Sequence, residues 1–128
     1  MTVLFKVPPI AIEGDVIVLS APRYGEVDLT AGDRVFLWWS ETQGGVGLAG
    51  HGLCVSVLGN PGALRAEVEP ITLRACGFGR RQLRTFRDAS GAEPLVTLAA
   101  KLYRHSLNKV VAITSAEERF LDDALLGG

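Results

Sequence analysis

Residues 36–57 read FLWWSETQGGVGLAGHGLCVSV, and the fold turns on what Gly45, Gly47 and Gly50 do there. Their spacing matches a dinucleotide-binding fingerprint, in which glycines form a strand-to-helix turn and the helix N-terminus receives a pyrophosphate. The residues that follow, HGLCVSVLGNPG, carry no helical stripe; they include the β-branched Val55 and Val57 and end in a turn. Glu67 and Glu69 stand about 20 residues on, where a ribose-binding acid belongs, but in an alternating strand such acids form the solvent face. The stretch therefore reads as a β-hairpin. SETQGG is the connection, and VGLAGHGLCVSV is a long return strand whose glycines allow bending or close approach. Such glycines also let a flat ligand approach the backbone.

The strand entering this hairpin, GDRVFLWWS from Gly32, opens with the same Gly-Asp turn as GDVIVLS from Gly14, and both predict strands. Alternation puts Val35, Leu37 and Trp39 on one face and Phe36 and Trp38 on the other. Both faces are apolar, as expected where a barrel interior lies on one side and another element on the other. LCVSVLG carries the return strand to a turn at Asn60, Pro61 and Gly62. AEVEPITLRAC alternates as a half-buried strand, with Ile71, Leu73 and Ala75 on one face and Thr72 and Arg74 on the other. The basic, glycine-bounded GFGRRQLRTFRDASGAE is either an exposed loop or a short strand pair. PLVTLAAKLYRH predicts a helix, with Pro94 in its first turn and Leu95, Leu98, Ala99 and Leu102 on one stripe. NKVVAI is the last strand. TSAEERFLDDALLGG predicts a closing helix, with Ser115 and Glu118 as a capping box, Phe120, Leu121, Ala124 and Leu125 buried, and Gly127 as its stop. The expected fold class is α+β, mainly β, in one domain over residues 1–128.

Composition bounds the function. A chain of 128 residues, 48% hydrophobic and 21% charged, builds one domain with a core and is too short for a catalytic domain plus a cofactor domain. Its apolar runs are shorter than a membrane span, and MTVLFKVPPIAIEGD has no basic start leading into an apolar block, so a cytoplasmic protein without a membrane partner is expected. Cys54 and Cys76 lie in apolar segments and read as reduced thiols. His51 and His105 stand apart from any second ligand, so neither a metal nor another cofactor is expected. The net charge of -1 hides a basic middle. From Arg65 to Lys109, nine cations (Arg65, Arg74, Arg80, Arg81, Arg84, Arg87, Lys101, Arg104, Lys109) oppose Glu67, Glu69, Asp88 and Glu93. That segment is either an ordinary solvated face or a face that contacts phosphates, and composition leaves both open.

LTAGDRVFLWWSETQGGVGLAGHGLCVSV resembles the core of PUA-like domains, most closely their EVE branch, in which a GDRV turn leads into an aromatic strand, a polar-glycine hairpin and a GxxGxGxV strand. KVVAITSAEERFLDDAL is similar to the final strand and helix of some members. The match is best over residues 27–58 and weaker over 108–125. The resemblance implies a small, partly open β-barrel flanked by two or more helices, with a pocket for a base of DNA or RNA; in the EVE branch and its YTH relatives the base is a modified one. Carried onto this sequence, the pocket candidates are Trp38, Trp39 and Ser40 at the strand end and Phe5 and Lys6 on the N-terminal strand. Where such relatives have a long pocket-covering segment before the GDRV turn, this chain has only SAPRYGEVDLTA.

A flipped base must be stacked and hydrogen-bonded to offset unstacking of a few kcal/mol, and stacking on one aromatic contributes on the order of 1–3 kcal/mol. Trp38 and Trp39 point in opposite directions, so at most one faces a ligand and the other is core. Arg80, Arg81, Arg84, Arg87, Arg104 and Lys109 are the expected phosphate contacts; in a helix Arg80, Arg84 and Arg87 would share a face by their i, i+4, i+7 spacing. The Asn108 amide suits a base edge, and Tyr103 and Phe78 are further stacking candidates. No catalytic triad, Cys-His pair or phosphate loop can be read, so no catalytic residue is expected. The expectation is a non-catalytic nucleic-acid-binding module, with a small-molecule-binding barrel or a small enzyme as the alternatives.

Overall fold

The structure, a computed structural model, describes residues 1–59, 62–105 and 108–127. The Asn60–Pro61 turn expected after the return strand lies outside the described residues.

Six strands, β1 (Thr2–Val7), β2 (Ile17–Ala21), β3 (Arg34–Trp39), β4 (Gly47–Val57), β5 (Leu64–Leu73) and β6 (Lys109–Ile113), form one mixed sheet in the order β2-β5-β4-β3-β1-β6. β1 runs parallel to β3, and the other four pairs of these strands are antiparallel. The sheet curls until the residues after β2 meet β6, where Arg23 bridges Val110 and the Tyr24 N–H donates to the Val110 carbonyl at 2.9 Å. The result is a small, partly open barrel.

β3 is apolar on both faces, and both are covered. Val35 and Leu37 join Val3, Phe5, Leu19 and Val68 inside the barrel. Phe36 and Trp38 join Leu4, Leu98, Leu102 and Leu121 in a second cluster, beneath the helices α2 (Pro94–Tyr103) and α3 (Ser115–Gly127). The stretch left undecided between a loop and a strand pair is helical instead: α1 (Arg80–Leu83) runs into a 3-10 turn at Arg84–Phe86. Gln82 closes its start, its Oε1 accepting from the Gly79 N–H at 2.8 Å, while Leu83 is sealed in the helix-side cluster. One buried leucine among arginines leaves little periodicity from which to predict a helix.

The glycine run is strand, as its β-branched continuation predicts. At Gly50, φ is 153°, and a Cβ there would stand 2.0 Å from the Thr72 carbonyl oxygen of β5. The β3–β4 register shifts between Leu37 and Trp38, opposite this point. Glycine is therefore required for neighbouring strands to approach while the sheet bends.

Two further expectations need correction. β5 begins earlier than AEVEPITLRAC implied, and its buried row is Leu64, Ala66 and Val68; Ile71 and Leu73 are 56% and 45% exposed. Alternation identifies two faces, but helices cover the opposite part of the sheet. The α3 capping box is Thr114 with Glu117, one residue earlier than Ser115 with Glu118: the Glu117 N–H donates to Thr114 Oγ1 at 3.2 Å and the Thr114 N–H to Glu117 Oε1 at 2.9 Å. Glu118 instead pairs with Arg34 at 3.0 Å.

Glu117 is 1% exposed and also accepts from Lys101 at 2.6 Å and Thr97 at 2.7 Å. Burial by itself would raise its carboxyl, but these donors together hold it below its ordinary value of 4.5. Its stabilisation is thus present above about pH 4.5 and lost as pH falls through the lower folded value. Glu117→Gln is expected to cost about 2 kcal/mol at pH 7 and to flatten the fall in stability between pH 5 and 3; urea unfolding across that range, with a parent-like slope, would count against it. Gly50→Ala is expected to cost at least about 1–3 kcal/mol in the same assay, because neither the backbone angle nor the Thr72 carbonyl leaves room for a methyl group.

Candidate functional site

Where β3 ends, its two covering layers end as well. Ser40 caps the strand, with its N–H donating to the Val7 carbonyl at 2.8 Å, and is fully buried. A 3-10 turn at Glu41–Gln43 then leads into the glycine pair. Around this point lies a recess of about 270 Å³ lined by Lys6, Ser40, Glu41 and Thr42 from the strand ends, by Arg80, Arg84 and Arg87, and by Tyr103, Arg104 and His105 from the end of α2. Of the residues singled out in the sequence, Lys6, Ser40, Arg80, Arg84, Arg87, Tyr103 and Arg104 converge here. Arg81 lies just beyond, on an adjoining hollow.

Glu41 joins the pieces. Its carboxylate accepts from Trp38 Nε1 at 3.3 Å, from the Tyr103 hydroxyl at 2.9 Å and from the backbone N–H of Arg80. One side chain thereby ties β3, α1 and α2 together. Burial, reinforced by the adjacent Glu41 charge, pushes the Tyr103 phenol up, so it stays protonated and remains a donor. Trp38 packs edge-on against both Phe78 and Tyr103, at centroid distances of 6.1 and 6.3 Å. Glu41 carried no motif, although an acid directly after an aromatic strand and before a glycine pair was a usable signal.

Lys6 and Lys109 face each other across β1 and β6 and are 5% and 1% exposed. Lys6 Nζ donates to the Leu102 carbonyl at 2.6 Å and sits 4.3 Å from the Tyr103 ring centroid. Lys109 Nζ donates to the Lys101 carbonyl at 2.7 Å and to that of His105. Both ammonium groups thus plug the C-terminal end of α2, where unpaired carbonyls and the helix dipole favour cations. Burial lowers the pKa of both, that of Lys109 to about 8, with the Lys6 charge adding to the effect there.

These placements correct several expected roles. Lys109 has no free ammonium to offer a phosphate. Phe5 and Trp38 are fully enclosed, in the barrel interior and the helix-side cluster respectively, and present no ring face to a base. Trp39 is half-buried against the barrel interior and does not line the recess. Asn108 does not line it either; its Oδ1 is buried without a hydrogen-bond partner among the described residues. The aromatic wall is Tyr103.

The arginines differ from the lysines. Arg81, Arg84, Arg87 and Arg104 are exposed and Arg80 is half-buried. Arg104 donates to the Arg87 carbonyl at 2.8 Å, which holds the two on one rim, and Arg87 meets Asp88 at 3.2 Å in an exposed pair of little strength. Arg80, Arg81 and Arg84 have no ion-pair partner among the described residues. Nor do those residues include a group of three or more His, Cys, Asp or Glu side chains able to hold a metal, or a helix long and apolar enough to cross a membrane.

Compared with known proteins, the chain matches no family model, no curated protein and no solved structure.

Glu41→Ala is expected to lower stability by about 2–3 kcal/mol, since it strands the Trp38 and Tyr103 donors and the Arg80 N–H together; Glu41→Gln should recover part of the loss. Chemical unfolding followed by tryptophan emission measures this, and a loss below about 0.5 kcal/mol in the alanine variant would show that the carboxylate is not the junction described.

Proposed function

We propose that this chain is a non-catalytic nucleic-acid-binding module, which admits an unpaired or flipped base of DNA or RNA, modified or unmodified, to the recess beside Tyr103 and holds phosphates on its arginine rim. The observation that carries this reading is the convergence of Arg80, Arg84, Arg87 and Arg104 on one recess whose only acidic lining residue, among the described residues, is Glu41. Planar guanidinium groups suit phosphate oxygens, and three of these four are exposed. The recess wall adds the exposed Thr42 hydroxyl, 3.1 Å from that of buried Ser40, and a hydroxyl serves a base edge as donor or acceptor. The partly open barrel with helices on one side is also the architecture that the resemblance to PUA-like domains implies.

Binding of this kind releases counterions. Neutralising four phosphates of a single strand gives a slope of log affinity against log salt of about −3, and each arginine removed should flatten it by about 0.7. We expect a fluorescently labelled single-stranded oligonucleotide to show saturating anisotropy at low salt, that salt slope, and weaker, flatter binding by Arg84→Ala and Arg104→Ala. No binding of DNA or RNA at low salt would overturn the reading and favour a small anionic ligand in the same recess.

A further inference from the structure

The recess has a neighbour. A more open hollow of about 470 Å³ adjoins it and shares Glu41, Arg80 and Arg84 with it. Its remaining walls are Val46, Arg81, Gln82 and three residues without side chains, Gly45, Gly77 and Gly79. The segment around Gly79 lies close against the start of β4: the Leu48 N–H donates to the Phe78 carbonyl at 2.9 Å, and a Cβ on Gly47, where φ is 82°, would stand 2.7 Å from Gly79 Cα. The hollow is thus walled in part by bare peptide, with Val46 48% exposed and an exposed Arg81 at its side.

Bare peptide, one exposed apolar side chain and a free guanidinium suit the flat face of a nucleobase, because nothing projects to prevent close approach and the guanidinium plane can stack. The volume falls within the range of small-ligand sites, roughly 300–1,000 Å³. A free nucleotide would occupy one hollow and leave the other empty. Two linked nucleotides place one phosphodiester between two bases, and the residues common to both hollows include Arg80 and Arg84, which lack ion-pair partners among the described residues. Paired, stacked bases of a duplex cannot enter two separate hollows.

Resting on the nucleic-acid reading, we infer that the two hollows are consecutive nucleotide subsites, so that the ligand is a single strand of at least two nucleotides with its linking phosphate held between Arg80 and Arg84. The gain from the second subsite is an intramolecular one, added without a second loss of translational freedom.

The test is competition against a labelled single-stranded decanucleotide, using thymidine 5′-monophosphate, the 5′-phosphorylated thymidine dinucleotide and a hybridised duplex as competitors for the full chain. The dinucleotide should compete at least about tenfold better than the mononucleotide, and the duplex worse than a single strand of equal length. Val46→Trp, which fills the second hollow, and Arg81→Ala should each bring the dinucleotide-to-mononucleotide ratio towards one; both positions are exposed, and circular dichroism checks that the variants fold. A parental ratio below about two with the decanucleotide still bound overturns the two subsites and leaves the nucleic-acid reading standing. A tenfold ratio unchanged in both variants overturns this hollow as the second subsite. Failure of the decanucleotide itself to bind overturns both proposals.

Discussion

Strand β3 has no solvent face, and that constraint orders the rest of the molecule. Val35 and Leu37 need a barrel interior, while Phe36 and Trp38 need a second apolar layer on the opposite side. Fully burying a large apolar side chain contributes about 1.5–3 kcal/mol, so leaving either face uncovered would cost several times that. A six-residue strand of this kind belongs near the middle of a sheet, between β1 and β4, with the sheet curled on one side and helices laid on the other. Both covers run out together at Ser40 and Glu41, and the candidate site opens there.

The cations of the chain divide by chemistry. Lys6 and Lys109 are compact charges on flexible stems, and they end inside, spent on the carbonyls that terminate α2. Those acceptors offset only part of their desolvation, and the bonds fix the last turn of the helix, from which Tyr103 reaches Glu41. Of the recess arginines, Arg84, Arg87 and Arg104 end outside. A guanidinium is weakly hydrated and forks towards paired oxygens, so the charge left available on this face is of the type best suited to phosphate. Glu41 lies between the two sets and locks the strand end, the short helix α1 and the end of α2 in one arrangement.

Legibility varied with the range of the interaction involved. The period-2 pattern of residues 35–39 assigned both faces of β3 correctly, because side-chain alternation is a local property of extended backbone. The β-branched residues after Gly50 excluded a helix for the same reason. The spacing of Arg80, Arg84 and Arg87 put them together on one recess, although residues 80–86 were not recognised as helical: four α-helical residues followed by a 3-10 turn are too short to establish a period. The assignment of Trp38, Phe5 and Lys109 to a ligand went astray because exposure depends on what packs from elsewhere in the chain. Trp38 is closed off by Phe78 and Tyr103, more than 35 residues away in sequence.

By itself the sequence determined the strands and the two longer helices, the two-faced character of β3, the strand nature of the glycine run and the presence of a basic middle segment, since each follows from local periodicity, turn chemistry or composition. Tertiary structure alone decided which cations are spent and which remain available, that Glu41 is the junction of three elements, and that Gly47 and Gly79 meet to form part of a second hollow. The Lys6, Glu41 and Gly47–Gly79 contacts join residues 32 to 96 positions apart, and Lys109 is spent on the carbonyls that end α2. No local pattern encodes them, because the desolvation and hydrogen bonding of a side chain are set by whichever distant backbone comes to lie against it.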